Sequence, residues 1–401
     1  MKLSHFVLAA TLLASASPSF AHAQETQTGP SPTVRKYRAH MFDEPIRSLA
    51  NRSMALMFHT APVEAGDAPT ELPTRLAPLN FTYEVDGKLH QGSDAIENTF
   101  ADGLLIIKKG AIVYEGYFNR ATHETHFNSY SMAKSINAIM IGLAVKEGLI
   151  KSVTDPVTRY IPELKGTGYD GTTIRDLMEM RSGIAWDENF FKPGTPSYDA
   201  HVASWIEEKA RYTDAAFTAK REHKPGTYHR YNSLDSAVVG WVVERAAGMP
   251  VSKFLSTRLW QPAGMQADAF YVIDGPPGVG REFTAGGFNA VLRDFGRIGL
   301  LMLNNGHGNG QAFLPDDFVS CLSRDVTDNQ AEGIGYGWFW WTIPGSHAFT
   351  AIGGEGQYIY VDPDTKTVIV KMSHGPVGPE ADPIGREELA FLKSASQWDG
   401  H

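Results

Sequence analysis

Ser131 and Lys134 stand three residues apart in the stretch Asn128-Ser129-Tyr130-Ser131-Met132-Ala133-Lys134. Ile136, Ile139, Met140, Leu143 and Ala144 follow at helical spacing and Gly148 supplies a stop, so a helix beginning near Ser131 is expected. On that helix Lys134 lies one turn along the same face, within reach of the Ser131 hydroxyl. The Ser131 N–H would fall among the unpaired amides of the first turn, at the positive end of the helix dipole. The chemistry this suits is acyl transfer, in which a serine is activated by a base, and a lysine serves as base only when neutral. Lowering a lysine pKa from about 10.4 to roughly 7 costs on the order of 4.6 kcal/mol. Burial and a positive helix end both push that way. A serine and lysine at this spacing also arise by chance in 401 residues, so the pair needs partners.

Two stretches offer them. Tyr231, in Pro225-Gly226-Thr227-Tyr228-His229-Arg230-Tyr231-Asn232-Ser233, sits on a loop just before an expected helix. There it is either a proton-relay phenol or a packed ring with a satisfied hydroxyl. Ile352-Gly353-Gly354-Glu355-Gly356-Gln357 puts three glycines at the end of an expected strand. Its glycines either let the backbone approach a ligand, with an exposed N–H completing an oxyanion hole, or form a bulge or wide turn.

The elements that must position these residues are legible in outline. Gly103–Ile107 and Ala111–Tyr114 flank Lys108-Lys109-Gly110 and read as a hairpin leading towards the serine helix. Helices are expected from Thr173 to Met180, from Ser233 to Ala247 with Gly248 after it, and from Ala290 to Leu303. Tyr336–Ile343, His347–Ile352, Gln357–Val361 and Thr367–Met372 read as strands, and Ile384–Ala395 as a last helix. The fold class expected is α+β, with one antiparallel sheet assembled from both ends of the chain and flanked by helices. A mostly helical lobe, about 156–280, is inserted between sheet-lobe segments of about 42–155 and 281–401, all within one catalytic domain, 42–401. The cleft between lobes is where a site belongs.

The chain is 42% hydrophobic and 20% charged, with a formal charge of -9, which argues against nucleic acid or an anionic membrane as the main partner. A single cysteine, Cys321, excludes an internal disulfide and a thiolate metal cluster. His123 and His126 have no H-E-x-x-H context, so no metal site and no cofactor are expected. No G-x-S-x-G elbow occurs, which disfavours an α/β-hydrolase. Residues 1–23 read as a secretory signal: Lys2 and His5, a short apolar run, then Ala21-His22-Ala23 before Gln24. A disordered leader is expected over 24–41, and the segment Phe42–Thr82, with several prolines (62, 69, 73 and 78 among them), should wrap the surface. The expectation is an exported, periplasmic protein without a lipid or membrane anchor. Its oligomeric state is not legible.

Five stretches, in order, carry a resemblance. They are SMAKS (Ser131–Ser135), DPVTRYIPEL (Asp155–Leu164), TTIRDLMEMRSGIAWDE (Thr172–Glu188), PGTYHRYNSLDSAVVGWV (Pro225–Val242) and GGEGQYIYVDP (Gly353–Pro363). From about Asp102 onward the chain resembles the serine β-lactamase and penicillin-binding-protein superfamily, in its class C-like branch. It looks most like the 6-aminohexanoate-dimer hydrolases and related esterases. The resemblance implies that Ser131 attacks a carbonyl carbon, Lys134 takes or shuttles its proton, and Tyr231 relays that proton to the leaving group. It also implies an oxyanion hole made by the N–H groups of Ser131 and Gly354. Two departures stand out. Tyr231-Asn232-Ser233 replaces the usual Tyr-x-Asn or Ser-x-Asn, and Ala351-Ile352-Gly353 replaces Lys-Thr-Gly, removing the cation that helps hold a β-lactam carboxylate. Weak β-lactamase activity is therefore expected. Trp186, Phe190 and Trp341, with Phe339 and Trp340, are the expected aromatic lining for an apolar portion of a small ester or amide. A D-amino-acid peptidase acting on cell-wall peptides and a non-catalytic binding relative are the alternatives.

Overall fold

The computed structural model describes residues 29–327 and 334–401. The expected signal segment and the start of the expected leader lie outside these residues. The main sheet has seven antiparallel strands, ordered Gly335–Tyr336, Trp341–Thr342, Phe349–Gly353, Gln357–Asp362, Thr367–Ser373, Ala101–Lys108 and Ala111–Tyr117. The early and late parts of the chain meet between the sheet's fifth and sixth strands, where Ile106 faces Ile369 and Leu104 faces Lys371. All eight residues of Ala101–Lys108 are buried, because helices cover both faces of the sheet and leave no solvent side for alternation. Helix Leu292–Leu303 packs on one face against Thr367–Ser373 and Gln357–Asp362, and helix Ala381–Gln397 packs on the other.

Four readings need correction. Tyr336–Ile343 is not one strand but a tight hairpin, Gly335–Tyr336 pairing with Trp341–Thr342. Its apolar alternation is broken at Phe339, which takes φ +58°. The helix read from Ala290 begins at Leu292, because Phe288–Val291 is a strand. That strand belongs to a second sheet that the sequence did not announce, in which Thr60–Val63, Ala269–Asp274, Phe288–Val291 and His126–Asn128 are neighbours in that order. Part of the expected disordered leader is ordered: Pro32–Ala39 is a helix with Ser31 at its N-cap and a proline in its first turn.

Two helices carry the site. Met132–Lys146 is buried along nearly its whole length, and it packs against Ser233–Ala247. The second helix starts where Asn232 accepts from the N–H groups of Leu234 (2.8 Å) and Asp235 (3.3 Å), and it ends at Gly248 with φ +64°. Asn137 ties the two together, donating to Ser236 O (3.0 Å), Ser236 Oγ (2.8 Å) and Thr284 O (3.1 Å). Gly240 admits the Thr284 loop, since a Cβ there would lie 2.1 Å from Thr284 Oγ1.

Candidate active site

Ser131 is the N-cap residue of helix Met132–Lys146, and its side chain makes no capping bond, which leaves the hydroxyl for Lys134. Lys134 Nζ lies 2.8 Å from Ser131 Oγ and 2.8 Å from the carbonyl oxygen of Ala285. That loop arrives there through the Gly240 and Asn137 contacts. Lys134 is 1% exposed, and burial lowers its pKa to about 8, against the opposing pull of Glu188. The amine therefore loses its proton far more readily than a free lysine.

Tyr231 completes the group. Its phenol interacts with the Ser131 side chain, and its ring centroid lies 5.1 Å from Lys134 Nζ. Burial and the nearby Glu188 charge raise its pKa, so the phenol keeps its proton. Trp341 stacks on the Tyr231 ring at 5.8 Å and 24°.

The oxyanion pair is equally local. Outside the helix and strand ladders, neither the Ser131 N–H nor the Gly354 N–H donates to an acceptor among the described residues, and both residues line one cavity. Gly353 sets their separation: a Cβ on it would lie 2.2 Å from Ser129 O, so only glycine lets the strand end come this close to the residues before the serine. Two amides facing one cavity beside an activated hydroxyl can hold a developing oxyanion.

The cavity holds about 460 Å³, and its walls are mostly apolar. Phe190 is on the wall as expected, with Phe42, Phe191, His201, Trp205 and Phe283. His201 is kept neutral, its pKa lowered by burial to about 4. The cation on the wall is Arg38, and its guanidinium is engaged by Glu208 (2.7 Å), Met57 O (2.7 Å) and Trp205 O (2.9 Å).

Trp186 and Trp341 do not line this cavity. Trp186 is 5% exposed, packs edge-on against Tyr212 and borders a shallower recess beside Tyr231 and Glu188. Its indole N–H donates to Glu188 (2.5 Å). Trp341 acts as a backing plate for Tyr231, while Trp340 is fully buried. Aromatic residues in a loop carry no period that says which way each ring faces.

Several neighbours of the site went unread in the sequence. The Ala285 carbonyl is backbone and has no signature. Glu188 closes a quoted stretch but was not singled out. Its carboxylate accepts from the Ser233 N–H (3.0 Å) and the Ser233 hydroxyl, fixing the start of the Tyr231 helix. Burial raises the Glu188 pKa, and Lys134 draws it back down.

The sequence pattern of the Beta-lactamase family matches residues 94–392, which span every residue of this site except the cavity wall from Arg38 to Asp43. The chain belongs to the beta-lactamase family. Among its relatives is the 6-aminohexanoate-dimer hydrolase of Paenarthrobacter ureafaciens, 28% identical over 298 residues, covering 70% of this chain and 74% of that protein. A solved structure from Bacillus anthracis with the provisional description 6-aminohexanoate-dimer hydrolase superposes with a TM-score of 0.77 at 25% identity. It covers 89% of this chain and 95% of that one. A class C beta-lactamase shares the fold, with a TM-score of 0.54 at 15% identity over 75% of this chain and 92% of that one. The chain is thus a beta-lactamase-fold hydrolase, of the α+β class expected.

Proposed function

We propose that this protein is a serine hydrolase that cleaves a small ester or amide, with an uncharged apolar acyl portion, through an acyl-enzyme on Ser131. The observation that carries the reading is the contact of a buried, proton-shedding Lys134 with the Ser131 hydroxyl at 2.8 Å, with the Tyr231 ring 5.1 Å from the same amine. Ser131 Oγ attacks the carbonyl carbon and its proton passes to Lys134 Nζ. The carbonyl oxygen gains negative charge between the Ser131 and Gly354 amides. As the bond to the leaving group breaks, the proton moves from Lys134 by way of Tyr231 to the departing alkoxide or amine. Water then attacks the acyl carbon, the same groups take its proton and return it to Ser131 Oγ as the acyl–Oγ bond breaks, and the free acid leaves.

The acyl portion would occupy the aromatic cavity, where an apolar group replaces water against Phe42, Phe190 and Trp205. With Ala351-Ile352-Gly353 on the strand and Arg38 engaged elsewhere, a β-lactam carboxylate meets no free cation among the described residues lining the cavity. A fluorophosphonate probe should modify wild type at Ser131 and leave Ser131→Ala unmodified. Turnover of p-nitrophenyl esters, 6-aminohexanoate dimer, D-alanyl peptides and penicillins then ranks the substrates. Equal labelling of the alanine variant, or penicillin turnover rivalling that of simple esters, would sink the reading.

A further inference from the structure

We infer that Glu355 is a positioning residue of the oxyanion hole, held as a neutral carboxylic acid in a closed ring with Tyr130 and Asn51, and that ionising it disables acylation. The inference rests on the serine-hydrolase reading for its effect on rate, though not for the protonation of Glu355 itself.

The argument is a count of protons. Asn51 Nδ2 lies 2.5 Å from Glu355 Oε2 and 3.3 Å from Ser373 O, both oxygens, so the amide nitrogen must face them. Its Oδ1 therefore faces Tyr130, whose hydroxyl is 2.5 Å away. Tyr130 Oη is also 3.1 Å from Glu355 Oε1. The phenol has one proton and two oxygen neighbours, and the shorter contact takes it. The remaining contact then joins two oxygens, and it is favourable only if Glu355 supplies the hydrogen. With that hydrogen in place every contact is satisfied in one circuit: Glu355 donates to Tyr130, Tyr130 to Asn51, and Asn51 back to Glu355.

The surroundings agree. Burial raises the Glu355 pKa to about 8, although Asn51, Arg47 and Tyr130 all pull it down and Asp102 adds to the rise. Arg47 reaches the ring from the preceding turn, but its guanidinium donates to Phe42 O (2.9 Å), His374 O (3.2 Å) and Gly375 O (2.7 Å). His374 lies 3.1 Å from Asp102. Beyond Gly356, Lys371 is paired with Glu388 at 2.7 Å.

The ring is placed to matter. Tyr130 precedes Ser131 and Glu355 follows Gly354, so two of the three ring members each adjoin one amide of the oxyanion hole. Both are non-glycine residues at positive φ, +43° and +64°, a strained conformation that the ring holds in place. Opening the ring releases both sides of the hole at once. A carboxylate there would also repel the negative charge the hole must receive.

Glu355→Gln tests this, because glutamine donates and accepts as the neutral acid does but cannot ionise. Fluorophosphonate labelling rates should be followed from about pH 6 to about pH 10. Wild type should rise as Lys134 sheds its proton and then fall about tenfold per pH unit once Glu355 ionises. Glu355→Gln should keep the rise and lose the fall, while Glu355→Ala should drop by about 100-fold across the range. Infrared difference spectra of wild type against Glu355→Gln at neutral pH should show a protonated-carboxyl band in wild type. An alkaline fall shared by wild type and Glu355→Gln, no fall in wild type, or no such band would overturn the inference. A band without any labelling at Ser131 would leave the neutral ring standing and defeat the serine-hydrolase reading instead.

Discussion

Lys134 and Glu188 oppose each other inside the protein. Burial drives each towards its neutral form, and each one's charge favours the charge of the other. In the proposed mechanism the base for Ser131 is the uncharged amine, so below about pH 8 the rate should grow about tenfold per pH unit as protons leave Lys134. The negative charge of Glu188 works against that loss. Glu188→Gln removes it, so the Lys134 pKa falls and the acid limb of the kcat/KM profile should move to lower pH. The profile measured on a neutral ester checks the direction, and an unmoved or raised limb would break the link between the two residues. Ser131, Lys134 and Tyr231 were legible because types and spacing mark them. Glu188, Asn51 and Glu355 were not, since their meaning comes from neighbours far off in the chain: Asn51 meets Glu355 across 304 positions.

Among the elements, helices Met132–Lys146 and Ser233–Ala247 were read nearly to the residue, because a serine at the start and a glycine just beyond the end bound each apolar run. The aromatic hairpin after Gly335 was missed for a physical reason. Trp338, Phe339 and Trp340 are all buried, so apolar character persists through the turn, and Ser135 Oγ donates to Phe339 O (2.6 Å) to hold it. The strand ending at Gly353 is the element whose placement is most demanding. Gly353→Ala would drive a methyl group into Ser129 O and push the Gly354 amide away from the oxyanion. The expected result is a fall in kcat of about 100- to 1000-fold, the cost of losing one such donor, with KM changing much less. Steady-state kinetics on a soluble ester separates the two constants, and an unaltered kcat would remove Gly354 from the hole.

For the whole molecule, the helix Pro32–Ala39 closes the aromatic cavity from outside the region matched by the family pattern. It is clamped by Arg38 and Glu208, each side chain 2% exposed. Breaking a buried pair by removing one partner leaves a charge stranded, so Arg38→Met should cost about 3–5 kcal/mol. Arg38→Met combined with Glu208→Leu should recover most of it, as thermal unfolding midpoints would show. Nothing in the polar composition of this segment announced a helix, because the clamp is on the distant Glu208. The interior strand Ala101–Lys108, sixth of the seven, has a similar history, for one of its two neighbours is Thr367–Ser373. As the polypeptide is synthesised, that early strand must wait with one backbone edge bare until nearly everything else has been made. A product cut short before Thr367 would carry Ser131 but present an unmatched, mostly apolar ribbon, which invites aggregation and proteolysis.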